Sequence, residues 1–161
     1  MGLSLFENRR ASMASESFRT YRRRLPHWRM SEAVYFVTWR LARGQRELAP
    51  AERTIVMSAL RHFEGQRYHL IAFVVMDDHV HAMIRPIGDS QLEDIVRSLR
   101  SYSAHESARG RGGGRIWQDE YLDRVVRDEK EMNEKFVYIL NNPFKRWPEI
   151  DSYEWVWPPE D

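Results

Sequence analysis

Hydropathy changes its period several times along the chain, and each change marks an element. Residues 1–29 show no apolar period and read as a basic arm. At Val34 the pattern turns to Val34-Tyr35-Phe36-Val37-Thr38-Trp39, a β-branched and aromatic run that predicts a strand. Pro50 opens a helical stretch whose stripe is Ile55, Val56, Ala59, Leu60 and Phe63, stopped by Gly65. Leu70 to Met76 is continuously apolar, as in a strand covered on both faces. Asp77-Asp78 makes a two-residue turn into a strictly alternating segment, His79 to Arg85. Ser90 and Glu93 have capping-box spacing ahead of a helix that carries Leu92, Ile95, Val96, Leu99 and Tyr102 on one face, which puts Tyr102 in the core. Arg97 and Arg100 point away from that face. Gly110 to Arg115 is a glycine-rich flexible loop without the Lys-Ser/Thr ending of a phosphate-cradling loop. After Trp117, Asp123 to Arg127 predicts a last strand, and Asp128 caps a helix that Pro143 ends.

Strand, helix, strand, strand, helix, strand, helix is the order of a split β-α-β unit. The expected fold is α+β and ferredoxin-like: one antiparallel sheet, helices on one face, the other face partly free, and an added C-terminal helix. The division along the chain is an arm over 1–29, a domain over 30–147 and an acidic tail over 148–161.

Composition narrows the function classes. The 161 residues include no cysteine, so disulfides, thiolate zinc sites and cysteine nucleophiles are excluded. No apolar run is long enough to span a bilayer, and Glu7, Arg9 and Arg10 break up any secretory leader. A cytoplasmic protein is the expectation. The net charge of +1 hides an uneven distribution. Residues 1–29 hold seven Arg against two Glu, residues 97–115 five Arg against one Glu, and residues 147–161 five acids and no base. Of the 25 basic residues only three are Lys. Basic clusters in a neutral chain point to nucleic acid, although codon bias explains an Arg excess equally well.

His79-Val80-His81 is the sharpest local feature. Residues two apart on a strand share a face, so Val80, Ala82 and Ile84 turn toward the helices while His79, His81, Met83 and Arg85 face the other way. Two imidazoles so arranged can share a metal ion, and the same tripeptide also fits two unrelated half-buried histidines. On the final helix Met132, Phe136, Ile139 and Leu140 form the apolar stripe, and Tyr138 lies off it with Glu131, Lys135 and Asn142 around it. Tyr121, beside Trp117 and Gln118, is a rival candidate nucleophile. His27, His62, His69 and His105 have no partner at ligand spacing.

Phe73 to His81, then Trp117-Gln118 with Asp123 to Glu129, then Tyr138-Ile139-Leu140-Asn141-Asn142-Pro143 together resemble the single-tyrosine HUH transposases, the IS200-like family, and most of all their REP-associated tyrosine transposase branch. The resemblance runs from about Arg23 to Trp147. It implies that His79 and His81 are metal ligands, that Asn142 takes the place of a third polar ligand, and that Tyr138 is the nucleophile. The ion would be Mg²⁺ or Mn²⁺: imidazole ligands favour manganese, phosphate chemistry magnesium. Asp77-Asp78 departs from the family, which usually has Pro before Asn, Asp or Glu, and Asp78 is read as shaping the turn. The implied reaction cleaves and rejoins single-stranded DNA at hairpin, REP-like elements through a 5′-phosphotyrosine intermediate. The alternatives are a domesticated nucleic-acid-binding module without cleavage, or a metallo-hydrolase that uses water. Arg22, Arg23, Arg24, Arg97, Arg100, Arg111 and Arg115 are the candidate DNA contacts. Relatives work as monomers or as dimers, so a homodimer stays open.

Overall fold

The computed structural model describes residues 32–158. Eight elements follow in order: β1 (Tyr35–Arg40), α1 (Pro50–His62), β2 (Tyr68–Val75), β3 (His79–Pro86), α2 (Leu92–Ala108), β4 (Leu122–Val125), α3 (Glu129–Arg146) and β5 (Val156–Trp157). They build one antiparallel sheet in the order β4-β1-β3-β2-β5. β3 lies between β1 and β2, and β1 between β3 and β4, so the sheet is the expected split β-α-β arrangement. A two-residue turn joins β2 to β3: the Met76 N–H donates to the His79 carbonyl at 2.8 Å.

Each sheet face has its own core. Val37, Trp39, Phe73, Val75, Val80, Ala82 and Ile84 pack toward α1 and α2, where they meet Val56, Leu60, Ile95, Val96 and Leu99. Ala72, Val74 and Met83 face the other way, against Met132, Phe136 and Ile139 of α3. The second face is therefore covered by α3 over β2 and β3 and stays open along β4, whose residues are exposed, as the expected partly free face implies. This explains the unbroken apolar run of β2, since either face of that strand meets a helix. Residues after Trp147, which lack a helix or strand period, supply a fifth strand: β5 pairs with β2 through Phe73–Trp157 and Val74–Val156. Tyr153 anchors this segment by donating its hydroxyl to the Val75 carbonyl at 2.6 Å.

Several local expectations need correction. The α2 N-cap is Gln91, not Ser90, so Glu93 falls one position short of closing a capping box and instead accepts from Arg97 at 3.2 Å. Tyr102 is 55% exposed, because the buried arc of α2 takes Leu99 and Ser103 and leaves Tyr102 beyond its edge. Asp128 does cap α3, accepting from the Glu131 N–H at 2.8 Å. Pro143 does not end that helix: it is buried within it, and one more turn forms, closed by the Trp147 N–H on the Pro143 carbonyl at 2.8 Å. β4 ends at Val125, two residues before Arg127. Among the described residues no helix is long and apolar enough to cross a membrane.

Candidate active site

The alternation of β3 delivers both histidines to the α3 face of the sheet, with ring centroids 4.6 Å apart and planes 71° apart. Register sets their neighbours: His81 lies opposite Thr38 on β1, and His79 opposite Arg40. His79 Nδ1 is 2.6 Å from Asp78 Oδ1. An ionised carboxylate only accepts, so Nδ1 carries the proton of this bond. His81 Nδ1 is 2.7 Å from Thr38 Oγ1. That hydroxyl accepts from Nδ1 in the tautomer that leaves the lone pair on Nε2. Asp78 thus does more than shape the turn: it orients an imidazole, as outer-shell carboxylates do for ligating histidines. Burial pushes the Asp78 carboxyl up, but the hydrogen bond and charge of His79, with the charge of Arg146, outweigh it and hold the group below its ordinary range. His81 is 4% exposed. Burial, then the neighbouring charges of His79, Arg40 and Lys135, bring its pKa down to about 3. It stays neutral at physiological pH, as a ligand imidazole must.

Tyr138 projects from α3 toward this pair. Its ring centroid is 5.2 Å from that of His81, with planes 64° apart, and 6.2 Å from that of Phe36, which stacks on His81 at 5.4 Å. Tyr138 is 41% exposed, one of the few large side chains of the described residues that stay open to solvent. The helix that carries it is pinned at both ends. Glu131 pairs with Arg124 of β4 at 2.6 Å, and Arg146 pairs with buried Asp77, the residue before Asp78, at 2.9 Å. Asn142 lies half-buried one turn beyond Tyr138 on the same helix face.

Among the described residues no three of His, Cys, Asp and Glu gather into a metal-binding group. Two imidazoles on one strand face, each with its Nδ1 held by a neighbouring oxygen, are nevertheless a donor set that fits a divalent ion. Further ligands would have to be oxygen atoms, from the Asn142 amide, solvent or phosphate.

The fold and the sequence as a whole are shared with known proteins. The pattern of the family described as Transposase IS200 like matches residues 53–142, more than half of the chain. The chain belongs to the IS200-like transposase family. A REP-associated tyrosine transposase of Escherichia coli (strain K12) is 24% identical over 114 residues, which are 70% of this chain and 67% of that protein. The solved structure of a REP-associated tyrosine transposase bound to a REP hairpin superposes with a TM-score of 0.64 at 20% identity, covering 82% of each chain. A Deinococcus radiodurans R1 protein assigned as a transposase gives 0.52 at 22% identity over 73% of this chain and 95% of its own. These structural likenesses establish the fold.

The arginines expected to contact DNA divide into two kinds. Arg97 and Arg115 have exposed side chains, although each also touches a carboxylate: Arg97 that of Glu93 and Asp94, Arg115 that of Asp119. Arg111 is a correction to the expected DNA contacts. It is buried, with Nε 2.6 Å and Nη2 3.1 Å from the Glu52 carboxylate, and further bonds to Gln45 Oε1 and the carbonyls of Arg46 and Glu47. No donor is left for a phosphate. It also anchors part of the glycine-rich loop. Arg100 is largely committed as well, since its Nη2 donates to the carbonyls of Gln118 and Asp119. Arg22, Arg23 and Arg24 lie outside the described residues, as does His27. Tyr121 packs with the α1/α2 core, across the sheet from the histidines, and burial raises its pKa. His62 lies edge-on to Phe63, and His69 and His105 neighbour Glu64 and Glu106. Sequence reasoning missed Thr38 and Phe36. A Thr and an aromatic alternating with buried Val37 and Trp39 were visible, but only the β1–β3 register shows that they touch His81.

Proposed function

We propose that the protein is a metal-dependent transposase that cleaves and rejoins single-stranded DNA at hairpin elements, with Tyr138 as the nucleophile. The observation that carries this reading is the approach of Tyr138 to His81, 5.2 Å between rings, across two different elements of one chain. The tyrosine lies off the apolar stripe of α3, so core packing does not account for it. His79, His81 and the Asn142 amide would hold the ion, Mg²⁺ or Mn²⁺. When bound, that ion supplies Lewis acidity toward the phosphate oxygens.

In the proposed reaction the Tyr138 phenol loses its proton and Oη bonds to phosphorus. The P–O3′ bond breaks, the 3′ oxygen takes up a proton, and the 5′ phosphate stays on the tyrosine. Attack by another 3′-OH reverses the step, so strands are rejoined without ATP. A free phenol titrates near ~10 and is a weak nucleophile at neutral pH, which is why a polarised phosphate beside it is needed. Arg97 and Arg115, with Arg22, Arg23 and Arg24 of the arm, are the proposed phosphate contacts. Hairpin recognition is carried over from the relative whose structure holds a REP hairpin. DNA as substrate makes the cytoplasm the expected compartment. The closeness of Tyr138 to His81 within one chain supports attack by the tyrosine of the same subunit.

The test is covalent capture. Labelled hairpin oligonucleotides from repeats flanking the gene are mixed with protein and Mg²⁺ or Mn²⁺, then run on a denaturing gel. A metal-dependent shifted band, absent in Tyr138→Phe and in the His79→Ala/His81→Ala double variant, is expected. Binding without any adduct would instead identify a domesticated DNA-binding module. Cleavage retained by Tyr138→Phe would identify a hydrolase that uses water.

A further inference from the structure

The basic residues of this chain are 22 Arg and three Lys. Two of those three lysines stand beside Tyr138. Lys135 Nζ lies 4.8 Å from the Phe36 ring centroid and 5.9 Å from that of Tyr138, and Lys145 Nζ lies 5.6 Å from the Tyr138 ring. At about 100° per residue, Lys135, Tyr138, Asn142 and Lys145 fall within an arc of roughly 80° on α3. Such an arrangement is not the solvated end of an amphipathic helix, where charges pair with their neighbours. Lys130, at the start of the same helix, lies 4.0 Å from Glu134 in that ordinary way. Among the described residues, by contrast, neither Lys135 nor Lys145 has a carboxylate within ion-pair distance, whereas Arg124, Arg127 and Arg146 around the same helix all do.

We propose that Lys135 and Lys145 are catalytic residues: a pair of ammonium groups that clasps the scissile phosphate between the histidines and Tyr138. The proposal rests on the tyrosine-nucleophile reading given above. The physical argument is charge. As the phenol oxygen bonds to phosphorus, negative charge grows on the two non-bridging oxygens while the phenol gives up its proton. A compact ammonium on a flexible stem can follow that charge from ground state to transition state. The balance is unchanged by the clamp: the phenol proton lost and the proton gained by the 3′ oxygen cancel, and both lysines end as they began. Lys135, on the Phe36 side, would face the phosphate nearest the histidines. Lys145 would approach from the far side of the tyrosine ring.

The experiment measures single-turnover cleavage and DNA affinity separately on the flanking-repeat hairpins, for wild type, Lys135→Met, Lys145→Met, Lys135→Arg and Lys145→Arg. Circular dichroism melts confirm that each variant folds. Each methionine variant is expected to cleave about ten- to a hundredfold more slowly while its Kd rises by less than about threefold, since one phosphate contact among many is lost. Each arginine variant keeps the charge and is expected to recover most of the rate. Methionine variants that cleave at the wild-type rate would overturn the proposal, and so would variants whose whole loss lies in Kd. In both cases the wild-type adduct still forms, so the tyrosine reading survives. A wild type that forms no adduct sinks both.

Discussion

Glu52 and Arg111 are 59 residues apart in sequence and meet in a bidentate, almost dry ion pair, with Arg111 Nε 2.6 Å from Oε2 and Nη2 3.1 Å from Oε1. Both side chains are under one-tenth exposed. Glu52 also accepts from the Ala49 N–H at 2.9 Å and from Arg46 Nη1 at 2.6 Å, so it holds the start of α1 and the glycine-rich loop together. Burial pushes the Glu52 carboxyl up, but the bonds from Arg111, Ala49 and Arg46 and the Arg111 charge outweigh it and bring its pKa from 4.5 down to about 2. A folded-state pKa below the unfolded one means stability that is fully present above pH 4.5 and is lost as the pH falls toward 2. At 1.36 kcal/mol for each pH unit of the difference, the sum is about 3 kcal/mol. Glu52→Gln removes the charge, leaves Arg111 buried and uncompensated, and is expected to cost about 3–5 kcal/mol near pH 7. Urea unfolding of wild type and variant at steps between pH 7 and 2.5 provides the check. The stability gap should narrow by about 3 kcal/mol across that range, because acid removes from wild type what the variant already lacks. A Glu52→Leu/Arg111→Met pair should recover much of the loss at neutral pH. A gap that stays constant with pH, or a Glu52→Gln variant as stable as wild type, would refute the reasoning.

Further expectations concern the helix that carries Tyr138 and its histidine partners. Asp78→Ala should weaken Mn²⁺ binding about ten- to a hundredfold by calorimetry, since His79 loses the carboxylate that orients it; unchanged affinity would leave Asp78 as a turn residue. Asp128→Ala deletes the α3 N-cap and should lower stability by about 1 kcal/mol in urea, with no shift expected if the cap bond is not made in solution. Phe136→Ala empties the core between α3 and the sheet and should cost about 3–5 kcal/mol in the same assay; a loss under 1 kcal/mol would mean that α3 is not packed there.

The sequence by itself determined what repeats at short range. The alternation of β3 assigns Val80, Ala82 and Ile84 to one face and His81 and Met83 to the other, and the structure keeps that division. The unbroken apolar run of β2, the Pro50 start of α1 and the Asp128 cap were legible for the same reason: period, φ restriction and side-chain capping act within a few residues. The element order then sufficed for the split β-α-β sheet. Where the rule was local but degenerate, the reading slipped. Ser90 and Glu93 have the right spacing for a capping box, but the helix begins one residue late. Pro143 sits inside α3 because tertiary packing offsets one missing hydrogen bond.

Tertiary structure alone decided which distant groups meet. Nothing in the spacing of Thr38, His81 and Tyr138 says that they converge; the antiparallel register of β1 with β3 and the docking of α3 on that face bring them together. Arg111 looked like any other loop arginine until the fold set it against Glu52, and Arg100 until its guanidinium closed on the Gln118 and Asp119 carbonyls. β5 was hidden for a similar reason, since two residues carry no period and become a strand only when the free edge of β2 accepts them. A charged side chain is exposed or buried according to its partner, and a partner tens of residues away leaves no mark on the local pattern.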